Sequence, residues 1–129
     1  MSELQAIEFI DNPALAGRES QYVTIQVNTE KALKSWQNSL FSFEWLNSDG
    51  TIKPLKDLPE SEQPKRQDVE ERLSRCQPIA KPVLGIGLQD NIEIGIGRAE
   101  FLTLAACGIG TITVQIPKSN EQDFAPFLA

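Results

Sequence analysis

The stretch Lys81-Pro82-Val83-Leu84-Gly85-Ile86-Gly87-Leu88-Gln89-Asp90-Asn91-Ile92-Glu93-Ile94-Gly95-Ile96-Gly97-Arg98-Ala99-Glu100, continuing Phe101-Leu102-Thr103-Leu104-Ala105-Ala106-Cys107-Gly108 to Thr111-Ile112-Thr113-Val114-Gln115-Ile116-Pro117, decides the fold. Val83–Leu88 is apolar on both faces, the pattern of a central strand. Gln89-Asp90-Asn91 makes a turn, and Ile92-Glu93-Ile94 returns as a short strand. Gly95-Ile96-Gly97 is a glycine-rich elbow. A helix from about Arg98 to Cys107 follows, with Gly108 as its C′ residue. Phe101, Leu102, Ala105 and Ala106 suit close packing on a sheet. Thr111–Ile116 alternates as a last strand, and Pro117 ends it.

The remaining chain supports one α/β (α+β) domain over residues 1–129. The length suits a single compact unit, and 40% hydrophobic content is enough for one core. Tyr22–Val27 alternates Val23, Ile25 and Val27 on one face, as a strand does. Asn28-Thr29 offers N-cap chemistry to a helix expected to reach about Phe43, with Leu33, Trp36, Leu40 and Phe43 along one face. Trp36, Phe41 and Trp45 then form an aromatic cluster, read as core or as an interaction surface. Asn47–Gly50 is a turn. Ser61-Glu62-Gln63-Pro64 begins a charged helix expected to reach Cys76, with Val69, Leu73 and Cys76 as a thin apolar stripe. Its Lys65, Arg66, Arg72 and Arg75 alternate with Asp68, Glu70 and Glu71, which predicts pairing within the helix. Residues 1–20 read as an N-terminal arm with a short strand near Gln5–Ile10. Residues 118–129 read as a tail pinned by Phe124 and Phe127.

Composition narrows the chemistry. The chain contains no histidine, which excludes Ser-His-Asp and Cys-His nucleophilic sites and histidine metal ligation. Its formal net charge of −6 disfavours direct DNA binding. A nucleotide or a protein is the expected partner. No run of about 18 apolar residues is present, so no membrane span is expected. An acidic N-terminus lacking a signal-peptide pattern makes the cytoplasm the expected location. Cys76 and Cys107, without Cys-x-x-Cys spacing, are expected to be packed thiols.

The elbow Gly95–Glu100 is the one stretch that invites a ligand. Unpaired amides of a first helical turn carry partial positive charge, and Arg98 adds a full one. Gly95, Gly97 and Arg98 are therefore candidate phosphate-binding residues, while glycines there also serve tight packing. Glu100 and Glu93 are candidate water-orienting bases. Asp90 and Glu100, if they converge, would hold Mg²⁺.

The order of these elements resembles the ParB N-terminal/sulfiredoxin-like superfamily. The resemblance rests on Lys81-Pro82-Val83-Leu84, the turn at Asp90-Asn91, Gly97-Arg98-Ala99-Glu100, the helix closed by Gly108, and Thr111-Ile112-Thr113-Val114. It covers under a third of the chain. It implies a small mixed sheet with packed helices, in a lone ParB-like domain from a plasmid or other mobile element. Such domains include nucleases, nucleotide-hydrolysing switches and plasmid proteins that restrain conjugative transfer. The family pattern places an arginine where this chain has Glu100, and sulfiredoxins carry a reactive cysteine and histidine that this elbow lacks. The resemblance thus implies either a nucleotide or phosphate site at Gly95–Glu100, serving a Mg²⁺-dependent nuclease or NTPase, or a non-catalytic interaction module on the same fold.

Overall fold

The computed structural model describes residues 7–129. It is a mixed α+β fold. Four strands, β2 (Tyr22–Asn28), β6 (Thr111–Pro117), β4 (Val83–Ile86) and β5 (Ile92–Ile96), form one sheet in the order β2-β6-β4-β5. β2 and β5 run antiparallel to their neighbours, while β4 and β6 run parallel. A two-stranded parallel sheet joins β1 (Phe9–Ile10) to β3 (Ile79–Ala80). The expected strand near Gln5–Ile10 is thus found as Phe9–Ile10, and its first two residues lie outside the described ones.

The opening stretch folds in the expected order. β4 is central, flanked by β6 and β5, because Val83 and Leu84 bury on both sides. The turn leaves Asp90 in the left-handed region at φ 60°. β5 extends two residues beyond the expected Ile94, taking Gly95 and Ile96 into the strand. A bulge does this: Val83 pairs with Ile96 and Leu84 with Ile94, so Gly95 is the extra residue. Helix α3 (Arg98–Ala106) follows, and Gly108 closes it at φ 83°. Leu102, Leu104, Ile112, Val114 and Ile116 are fully buried in the one core to which α3 and the sheet both contribute.

Helix α1 (Thr29–Trp36) begins as its sequence predicts, with Asn28 Oδ1 accepting the Lys31 N–H at 2.9 Å. It ends seven residues before the expected Phe43. Polar side chains compete for the backbone there. Ser42 Oγ donates to the carbonyls of Gln37 and Ser39, both at 3.0 Å, and the chain turns out of the helix. The apolar face does not continue: Leu40 is 85% and Phe43 66% exposed. A 3₁₀ turn at Ser42–Glu44 brings Trp45 back into the core.

Helix α2 (Gln63–Ser74) has Pro64 in its first turn. Glu62, not Ser61, stands at the N-cap position, and its side chain makes no capping bond. The expected pairing within the helix is present as Arg66–Glu70, Arg72–Asp68 and Arg75–Glu71. Val69 is buried, but Cys76 leaves the apolar stripe: it follows the helix in the left-handed region, at φ 56°, and is exposed. Cys107 is exposed as well, so neither cysteine is the packed thiol expected. The tail is tied down by Phe124, which is fully buried and edge-on to Phe127, and by the Ala129 N–H bonding the Gln26 carbonyl at 3.1 Å.

No helix among the described residues is long and apolar enough to cross a membrane.

Candidate functional site

The elbow opens a cleft of about 720 Å³. Ile94, Gly95 and Ile96 of β5 form one wall, Gly97–Glu100 the end, and Glu62, Pro64, Lys65 and Asp68 of the α2 start the other wall. Gly97 is required for this shape. It sits at φ +84°, and a Cβ there would stand 3.0 Å from Pro82 Cα. As N-cap of α3 it has no side chain with which to cap the first-turn amides. Glu100 turns back over that position: its Oε1 lies 3.5 Å from where the Gly97 Cβ would be. A carboxylate in the first turn is favoured by the helix dipole, and it occupies the electropositive end that an external anion would seek.

Arg98 is held rather than free. Its Nη1 donates to Glu44 Oε1 at 3.1 Å. The guanidinium carbon lies 5.8 Å from the Trp36 ring centroid and 5.4 Å from that of Phe41. Its Nε and the Trp36 indole nitrogen are both buried without a hydrogen-bond partner among the described residues.

A second polar centre lies across the cleft. Glu62, 8% exposed, accepts the Trp45 indole N–H at 3.0 Å and the Lys65 ammonium at 3.2 Å. Burial opposes its charged form. The Trp45 and Lys65 hydrogen bonds, with the positive charges of Lys65 and Arg98, outweigh that and hold the Glu62 carboxyl below its ordinary value.

Of the candidate residues, the structure brings Gly95, Gly97, Arg98 and Glu100 together. Glu93 and Asp90 belong elsewhere. The Glu93 carboxylate is taken up by hydrogen bonds outside the cleft: Ser39 Oγ donates to its Oε1 at 2.7 Å and Asn91 Nδ2 to its Oε2 at 3.0 Å. Asp90 occupies the opposite end of the β4–β5 hairpin from the elbow, on the order of 20 Å away at the usual rise per strand residue. Asp90 and Glu100 therefore do not converge on one Mg²⁺, and no group of three or more acidic or cysteine side chains suited to a metal occurs among the described residues. In the aromatic cluster, Trp36 and Trp45 are core residues at 1% and 0% exposure, while Phe41 is half exposed.

Sequence reasoning missed Glu44, Glu62 and Lys65 as parts of this site. Their signal was faint, since each stands in a charged or turn segment where solvated carboxylates and lysines are ordinary. Only the return of Trp45 to the core gives Glu62 its indole partner.

No protein-family model, curated protein or solved structure matches the chain.

Proposed function

We propose that this protein is a non-catalytic interaction module on a ParB/sulfiredoxin-like fold. The observation that carries this reading is the loop after α1, where Leu40, Phe41 and Phe43 are 85%, 53% and 66% exposed. Three large apolar side chains within four residues, standing out from a chain whose tryptophans are buried, favour a protein contact. The loop is held in place by the two Ser42 hydrogen bonds, so a partner would meet a shaped surface. Arg98 is engaged by Glu44, and the Glu100 carboxylate stands in the first turn of α3, where its charge opposes a bound phosphate. Restraint of a mobile element's transfer is one process such a module would serve.

The test is a photo-crosslinking residue placed at Phe43 in the cells that carry the protein. A defined covalent adduct at Phe43, absent when the crosslinker stands at Glu121, is the expected result. Equal labelling at both positions overturns the reading.

A second reading is a phosphate or nucleotide site at the elbow. It is favoured by one cleft bringing Gly95, Gly97, Arg98 and Lys65 onto a shared lining. Nucleotides with and without Mg²⁺ would then raise the melting temperature by mass action. A flat panel removes it.

A further inference from the structure

β2 forms one edge of the four-stranded sheet. Two hydrogen bonds fix which of its residues face outward. The Thr29 N–H bonds the Gly110 carbonyl at 3.0 Å on the β6 side, and the Ala129 N–H bonds the Gln26 carbonyl at 3.1 Å from outside. Facing alternates along an antiparallel strand, so Val23, Ile25 and Val27 turn their N–H and C=O to β6, while Thr24 and Gln26 turn theirs outward. Thr24 and Gln26 are both exposed. No described residue bonds the Thr24 N–H, the Thr24 carbonyl or the Gln26 N–H.

Proteins usually blunt such an edge with charges, proline, a bulge or a covering element. Tyr22–Asn28 has no charged residue, no proline and an unbroken register against β6. Lys81 Nζ reaches Thr24 Oγ1 at 3.0 Å, which leaves the Thr24 backbone untouched. The pairing found on this edge is the tail's, with Leu128 opposite Val27. That pairing marks what the rest of the edge lacks. Val23, Ile25 and Val27 share the core side of β2. Val27, with Leu128 opposite, is fully buried, whereas Val23 and Ile25 remain partly exposed.

We propose that the outer edge of β2 takes an extended segment of a partner protein as an added strand over Tyr22–Gln26, with apolar side chains opposite Val23 and Ile25, in place of Leu128 and Ala129. Such a strand bonds the Thr24 N–H and carbonyl and the Gln26 N–H, and continues the apolar row that Leu128 begins. Main-chain hydrogen bonds supply affinity and alternate side chains specificity. Ala129 holds the Gln26 carbonyl, so a strand that reaches Gln26 takes its place. The hold of these two residues is light: Leu128 is 42% exposed, and its N–H reaches the Ala125 carbonyl at 3.4 Å. Phe124, fully buried, anchors the preceding part of the tail.

The hydrogen bonds already made favour a partner segment over the β2 of a second copy. In a symmetric β2–β2 pairing about Thr24, each Tyr22 stands opposite Gln26 of the other copy, where Ala129 is held. Two tails must then leave for one interface. The Tyr22 N–H is also given to the Glu19 carbonyl, so it is not available to that ladder. An extended segment displaces one tail and brings its own amides unpaired. The contact goes beyond the interaction reading and does not depend on the Leu40–Phe43 loop. That loop meets the opposite edge of the sheet, through the Ser39–Glu93 hydrogen bond on β5.

The test pans a random peptide library displayed on phage against the intact protein, and follows synthetic copies of the enriched peptides by amide hydrogen exchange. Expected are peptides with apolar residues at alternate positions, which slow exchange at Thr24 and Gln26 and speed it at Ala129. Thr24→Pro removes an outward N–H, a change that edge strands tolerate, and should weaken these peptides about tenfold. Methylating a central peptide nitrogen should weaken them by a similar factor with the protein left intact. Leu128→Gly loosens the tail and should strengthen them several-fold. Slow exchange at Thr24 in the free protein, failure to enrich any peptide, or full affinity in the methylated peptides overturns the proposal. Peptides that perturb Leu40 and Phe43 but leave Thr24 exchange unchanged overturn it while the interaction reading stands. A dimer by light scattering that protects Thr24 without peptide puts a second copy on the edge and overturns the partner segment. The Phe43 crosslink decides the broader reading separately.

Discussion

The Trp45 indole N–H donates to Glu62 Oε1 at 3.0 Å, and this bond ties the end of the apolar loop to the start of α2. Both partners are buried, Trp45 completely and Glu62 to 8% exposure. Lys65 occupies the second carboxylate oxygen. The centre therefore fixes the far wall of the cleft relative to the loop that carries Leu40, Phe41 and Phe43.

Removing the charge at Glu62 should make stability less dependent on acid pH. Its folded-state value lies below its ordinary 4.5, so the carboxylate is favoured in the folded protein. The stability it contributes is fully present above about pH 4.5 and is lost as pH falls through the lower folded value. Glu62→Gln should cost about 1 kcal/mol at pH 7, and the gap to wild type should close toward pH 3. Urea unfolding across that range checks both halves. A gap that is constant with pH would contradict this account.

Trp45→Phe should be the more damaging change at the same centre. It removes the donor and leaves a buried carboxylate with Lys65 alone, in addition to lost packing. A destabilisation of about 2–3 kcal/mol is expected, exceeding that of Glu62→Gln. Equal losses in the two variants would mean that the indole bond contributes little.

Gly97→Ala should cost more than Gly108→Ala. Both glycines are left-handed, at φ +84° and +83°. Forcing alanine into that region costs about 1 kcal/mol in either case. Only Gly97 adds a steric conflict, because its Cβ would meet Pro82 backbone at 3.0 Å, while Gly108 meets nothing within 4 Å. Chemical denaturation of the two variants should separate them by at least about 1 kcal/mol. A matched pair of midpoints would show that the elbow relaxes freely.

The legible parts of the chain are those where local pattern and tertiary position agree. Val83–Leu84 reads as a central strand because both faces are apolar, and both residues bury. Asn28 reads as a cap because an amide side chain before a helix has few better uses. The loop after α1 was illegible for the opposite reason. Leu33, Trp36, Leu40 and Phe43 have helical spacing, but Ser39 and Ser42 offer the backbone other hydrogen bonds. Spacing cannot weigh that competition. The elbow was legible as a place but not in its wiring. Glycines mark a turn, whereas the pairing of Arg98 with Glu44 spans 54 residues and depends on the loop's path.

The Arg98–Glu44 pair offers the last prediction, because it joins the elbow to the apolar loop. The two side chains are 28% and 31% exposed, so solvent screens their attraction. A double-mutant cycle with Arg98→Ala and Glu44→Ala should give a coupling of only about 0.5–1 kcal/mol. Arg98→Ala alone should cost more than that coupling, since the guanidinium also lies over the Trp36 and Phe41 rings. Arg98→Lys separates the two contributions: it keeps a charge for Glu44 but loses the planar stack. Its stability should fall between wild type and Arg98→Ala, with tryptophan fluorescence changing toward that of the alanine variant. If Arg98→Lys matches wild type in both measurements, the stack on Trp36 contributes nothing, and the ion pair alone positions the elbow against the loop.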